Sequence, residues 1–135
     1  MSRRLLCLHG HFYQPPRENP WIEAIEVQDS AEPFHDWNER IDAECYGPNG
    51  AARHKGAEDR ILDIANNYLH LSFNFGPTLL AWLERFRPAS YARVIEADQR
   101  SVEVRGEGNG IAQGYSHAIL PLANARDRRT QVLWG

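Results

Sequence analysis

Leu5-Leu6-Cys7-Leu8-His9-Gly10-His11-Phe12-Tyr13-Gln14-Pro15-Pro16 is an apolar run that ends in two histidines, a glutamine and a proline pair. Its composition predicts a β-strand with a polar tip. Side chains of a strand alternate between two faces, so His9, His11 and Tyr13 share one face while Leu8, Gly10 and Phe12 take the other. In an open parallel sheet or a barrel, the carboxyl ends of the strands carry the loops that form the mouth of the fold. The tip of this strand is therefore expected to be one wall of a site.

Downstream of it, residues 15 to 56 hold prolines, glycines and asparagines with little periodicity, apart from a short predicted helix over Trp21 to Val27. A connection this long without structure of its own is usually functional. Residues 17 to 56 are thus expected to be a loop insert lying over the carboxyl ends of the strands. From Ala57, the spacing of Ile61, Ile64, Ala65 and Tyr68 predicts a helix, with Glu58 and Asp59 at its amino terminus, packed on the sheet through that stripe. Leu69 to Phe75 reads as a second strand, closed by Gly76-Pro77. Thr78 is the expected cap of a helix whose Leu79, Trp82, Leu83 and Phe86 share a face. Pro88 suits the first turn of another helix, bearing Tyr91, Val94 and Ile95. Gly106, Gly108 and Gly110 fall in a loop that resembles a phosphate loop only weakly, since no lysine-serine or lysine-threonine pair follows them and no obvious strand precedes them. Residues 111 to 118 are expected to form a third strand ending at His117, with a helix as the alternative, and Asn124 to cap a final helix. This order argues for an α/β fold with parallel strands and right-handed helical crossovers.

Composition narrows the function. The chain has 135 residues, 42% of them hydrophobic and 24% charged, with a formal net charge of −3. That balance suits one globular domain and offers no broad basic surface for nucleic acid. Arg126, Arg128 and Arg129 are interrupted by Asp127 and read as a solvated helix face. No apolar run approaches the ~20 residues that span a bilayer. A cytoplasmic protein with Cys7, inside the first strand, and Cys45, in a loop, both reduced is the expectation.

Three stretches carry a resemblance. His11-Phe12-Tyr13-Gln14-Pro15-Pro16, Leu71-Ser72-Phe73-Asn74-Phe75-Gly76-Pro77 and Gly114-Tyr115-Ser116-His117-Ala118-Ile119-Leu120-Pro121-Leu122 resemble, in order, motifs of glycoside hydrolase family 57. Members of that family include amylases, glucanotransferases and branching enzymes. The insert with His35-Asp36-Trp37-Asn38-Glu39-Arg40 and Ala43-Glu44-Cys45-Tyr46 is similar to a less-studied branch. The resemblance implies the amino-terminal part of a seven-stranded β/α barrel, left incomplete, and a retaining mechanism on α-glucans. It implies too that the nucleophilic glutamate and the acid/base aspartate come from later strands, beyond Gly135. The chain alone is then expected to be inactive, and to self-associate through its incomplete barrel.

The candidate sugar-binding residues are His11, Gln14, Trp37, Asn74 and His117. A pyranose needs hydroxyl partners beside flat apolar surfaces, and Tyr13, Trp21, Trp37 and Tyr46 can supply the surfaces. Trp37 is the leading platform, flanked by polar residues; Trp82 belongs to the core. None of the eighteen acids, Glu39 and Glu44 of the insert included, falls in a motif that the resembled family uses for catalysis. No cofactor is expected. Two alternatives stand beside the glycosidase reading. His9 and His11, two apart on one strand, can hold a metal for a hydrolase, although His35, His54, His70 and His117 show no spacing that fixes a third ligand. A non-enzymatic glucan-binding module, or an inert truncated one, is the other.

Overall fold

A computed structural model describes residues 4–135 as a mixed α/β fold built from short strand pairs and helices. At its centre β1 (His9–Phe12) runs parallel to β6 (Ser72–Phe75). The register sets His9 beside Ser72, Gly10 beside Phe73, His11 beside Asn74 and Phe12 beside Phe75. Alternation therefore divides the pair into a histidine, serine and asparagine face and a phenylalanine face.

The phenylalanine face makes the core. Phe73 and Phe75 are buried with Tyr46, Tyr68, Leu79, Trp82, Leu83, Val94 and Ala97, and Phe12 packs against them. Tyr68 is wholly buried, edge-on to Phe12, Phe73 and Phe75, and its hydroxyl donates to the Tyr46 carbonyl at 3.1 Å. Edge-to-face contacts of this kind add about 0.5–1.5 kcal/mol each beyond area burial.

Two helices follow β6. Helix α3 (Pro77–Phe86) buries Leu79, Trp82 and Leu83, while Phe86 at the end of the predicted stripe stays 46% exposed. Its cap is Gly76 rather than Thr78. Pro77 takes the first turn, where its missing N–H costs nothing, and the Thr78 hydroxyl donates instead to the Gln14 carbonyl at 2.6 Å. Helix α4 (Pro88–Arg105) starts at the expected proline and ends at Gly106, whose φ of 81° is a left-handed geometry natural to glycine.

Beyond α4, residues 111 to 118 do not form the predicted strand; a parallel bridge pairs Phe73 with Gly110, just before them. Phe73 donates to the Asn109 carbonyl at 2.9 Å and receives Ile111 N–H at 2.7 Å. The buried Asn109 amide donates to the Tyr68 carbonyl, and Asp98 accepts from Gly110 N–H. The glycine loop is thus occupied by a carboxylate of its own chain. The closing helix α5 (Ala125–Trp134) is capped by Asn124 as expected, its side chain accepting from Asp127 N–H, and it leaves Arg126, Arg128 and Arg129 exposed.

The insert is folded rather than structureless. It holds a hairpin of two-residue strands, β2 (Glu18–Asn19) with β3 (Ala24–Ile25), where a helix over Trp21 to Val27 was expected. Helix α1 (Trp37–Ile41), a π-helical turn over Asp42–Tyr46 and α2 (Gly47–Gly50) follow. The expected helix from Ala57 is also replaced, by β5 (Ile61–Ala65) paired antiparallel with β4 (Ala52–Lys55). Tyr68 from its stripe still reaches the core, whereas Ile61 and Ile64 are exposed. Cys7 precedes β1 and is exposed, Cys45 sits in the π-helical turn, and both are free thiols. No helix among the described residues is long and apolar enough to cross a membrane.

Candidate functional site

The polar face of β1 and β6 gathers the residues singled out at the strand tip. His11 Nδ1 lies 2.7 Å from Asn74 Oδ1, a contact that follows from their shared register. An amide oxygen only accepts, so His11 Nδ1 is the donor in this contact, and in the neutral ring the lone pair is then on Nε2. That Nε2 meets His117 Nε2 at 3.1 Å. The Tyr13 ring stacks on His117, with centroids 4.5 Å apart and planes 21° apart. His9 continues the row toward the amino end of the strand, with Nδ1 3.0 Å from Ser72 Oγ.

His117 arrives by a route that has no regular structure. The Gln113 amide donates to the Phe75 carbonyl, anchoring the segment at the end of β6. From α5, Gln131 accepts Tyr115 N–H on its carbonyl at 3.0 Å and Ser116 N–H on its side chain at 2.6 Å. Tyr115 meets Trp134 edge-on. A helix more than a hundred residues from His11 in sequence therefore holds the turn that delivers its partner.

Gln14 stands just past β1 but faces elsewhere. Its amide nitrogen donates to Tyr46 Oη at 3.0 Å, and its oxygen accepts from Arg17 Nη2 at 2.8 Å. Arg17 Nε donates to the buried Asn38 at 3.1 Å. Both ends of Gln14 are thus engaged in tying the insert to the strand tip. Burial raises the Tyr46 pKa, which keeps the phenol protonated, and Gln14 partly offsets the effect. As a core residue Tyr46 offers no open face to a sugar.

Trp37 lies at the start of α1, away from the histidine row. Its indole donates to Ser30 Oγ at 2.9 Å, and Arg40 sits over its ring at 4.9 Å. Trp21 is 90% exposed. Glu39 pairs with Arg87 at 2.5 Å and also accepts His35 N–H, while Glu44 pairs with Arg40 at 3.0 Å. Asp42 beside Arg87 is buried, and one of its oxygens lacks a partner. Burial raises its pKa, with Ser90 and Arg87 opposing.

His11, Asn74 and His117 are therefore brought together, whereas Gln14 and Trp37 are engaged elsewhere. The residues missed from sequence are Ser72, Arg17, Asn38 and Gln113. Ser72 carried a usable signal, being two residues before Asn74 on the same strand face. No group of three or more His, Cys, Asp or Glu side chains among the described residues is placed to hold a metal ion, and His9 and His11 make separate contacts. No family model matches the chain, and no curated protein or solved structure matches it.

Proposed function

We propose that this chain is the amino-terminal part of a retaining glycoside hydrolase or transglycosylase of the family 57 type, contributing α-glucan-binding groups to a β/α barrel whose catalytic carboxylates come from other strands. One observation carries the reading. Asn74 and His117, from the second and third stretches that resemble the family, both meet His11 from the first. In a barrel, the helix-covered face of the strands turns outward and the other face lines the interior. The helix-covered phenylalanine face and the open histidine face fit those two roles.

The chemistry of the row suits hydroxyl recognition. His11 Nε2 and His117 Nε2 can exchange their mutual contact for a sugar hydroxyl, which both donates and accepts. Asn74 keeps the acceptor side of His11 aimed at that hydroxyl. Proton donation to a leaving group and attack on the anomeric carbon need two carboxyl groups across the scissile bond. Glu39 and Glu44, held by Arg87 and Arg40, are not assigned those roles. Association through an uncovered sheet belongs to the same reading, supported by the exposed Leu5, Leu6 and Leu8 ahead of β1. So does a cytoplasmic setting, supported by two free thiols.

Affinity electrophoresis of the chain in soluble starch tests the proposal. Retardation of the wild type that His11→Ala abolishes is the expected result. Equal mobility with and without starch, at all starch concentrations, would remove the reading.

A further inference from the structure

We propose that His11 and His117 form a two-imidazole site for a divalent transition-metal ion of the zinc or copper class, with water completing the coordination shell. The two Nε2 atoms lie 3.1 Å apart. With metal–nitrogen bonds of about 2.0–2.1 Å, two tetrahedral ligands stand about 3.3 Å apart. Adjacent square-planar positions give roughly 2.9 Å. The observed separation falls between these, so an ion needs ring shifts of only a few tenths of an ångström. Both residues are exposed, and the ring packed against the pair is Tyr13, along whose face His117 can slide.

The surroundings are those of a ligand pair. A metal-binding imidazole typically donates its other ring N–H to a fixed acceptor, which sets the tautomer and aims the lone pair. His11 does this through Nδ1 and Asn74 Oδ1 at 2.7 Å. With both rings neutral and His11 Nδ1 donating to Asn74, the contact between the two Nε2 atoms requires a proton on His117 Nε2. Metal entry moves that proton to His117 Nδ1 by exchange with solvent, so a neutral pair binds the ion without net proton release. Tyr13, stacked on His117, keeps the ring plane in place during the exchange. The site is separate from any His9 and His11 pair, because His9 is turned onto Ser72. It also stands without the glucan reading, since it needs only the two rings.

Calorimetric titration of the 135-residue chain with zinc sulfate at neutral pH, with copper electron paramagnetic resonance on the same samples, decides the matter. Expected are one saturable ion per chain and hyperfine coupling to two imidazole nitrogens. Asn74→Ala should weaken binding about tenfold or more, as loss of an orienting partner does. His11→Ala and His117→Ala should each abolish the two-nitrogen signal, and His9→Ala should preserve it. His117 is exposed in an irregular segment, so its truncation leaves the core intact, as circular dichroism will register. Absence of saturable binding, coupling to fewer than two nitrogens, or unchanged affinity in His117→Ala overturns the proposal.

Discussion

Removing the Tyr68 side chain should be among the most damaging single changes in this chain. Tyr68→Phe deletes only the hydroxyl, which donates to the Tyr46 carbonyl from a wholly buried position. A net loss of about 1 kcal/mol is expected, with up to about 3 if the carbonyl is left dry. Tyr68→Ala additionally empties a space bounded by Phe12, Phe73 and Phe75. Aromatic-to-alanine truncations in cores cost about 3–5 kcal/mol. Three edge-to-face contacts vanish with the ring, which places the expected cost at the upper end of that range. Domains of this size are stable by only about 5–15 kcal/mol, so a third or more of the total is at stake. Urea denaturation followed by tryptophan fluorescence measures both variants. A midpoint for Tyr68→Ala matching that of Tyr68→Phe would refute the argument that this ring joins β1, β6 and the insert.

Asp42 predicts a pH effect of definite sign. Burial raises its pKa above 3.8, so the folded chain holds this proton to higher pH than the unfolded chain does. Its contribution to stability is therefore full below about pH 3.8 and is lost as pH rises through the folded value. Asp42→Asn should remove that decline from the curve of urea midpoint against pH; an unchanged slope would contradict it. Cys45 is half-buried with a pKa raised by burial, whereas Cys7 is exposed. A thiol reagent should therefore label Cys7 first, and Cys7→Ser should eliminate the fast phase. A methyl group at Gly76 would collide with the Tyr13 ring. Gly76→Ala should displace Tyr13 from His117, visible as a changed ring-current shift on His117 protons.

How much of this was legible follows from where periodicity is unambiguous. The strand tip at His9 to Phe12 was readable because an apolar run stops at polar residues, the helix after β6 through the spacing of Leu79, Trp82 and Leu83, and the helix from Pro88 because proline marks its first turn. Ile61, Ile64, Ala65 and Tyr68 misled because their three- and four-residue spacing also occurs where a strand and a turn meet. β4 and β5 stabilise each other by pairing, which no local window shows. The segment from Ile111 to Ala118 is tied to Phe73 and Gln131 by the N–H groups of Ile111, Tyr115 and Ser116, an arrangement without a period. One signal in the insert was available. Asp36-Trp37-Asn38-Glu39 has capping-box spacing, and Asp36 caps α1. Of the site, His11, Asn74 and His117 were found as types of residue in motifs. Their convergence depends on register and on α5, and Gln14 and Trp37 were lost to contacts that depend on the folded insert.

Imidazole ¹⁵N and ¹H chemical shifts of His11 and His117, followed while maltoheptaose is added to the 135-residue chain, report whether the two rings bind an α-glucan. Saturable, concerted shifts at the Nε2 positions of both rings, smaller shifts at His9, and loss of the response in Asn74→Ala are expected. Invariant His11 and His117 resonances at millimolar oligosaccharide would contradict α-glucan binding at these rings.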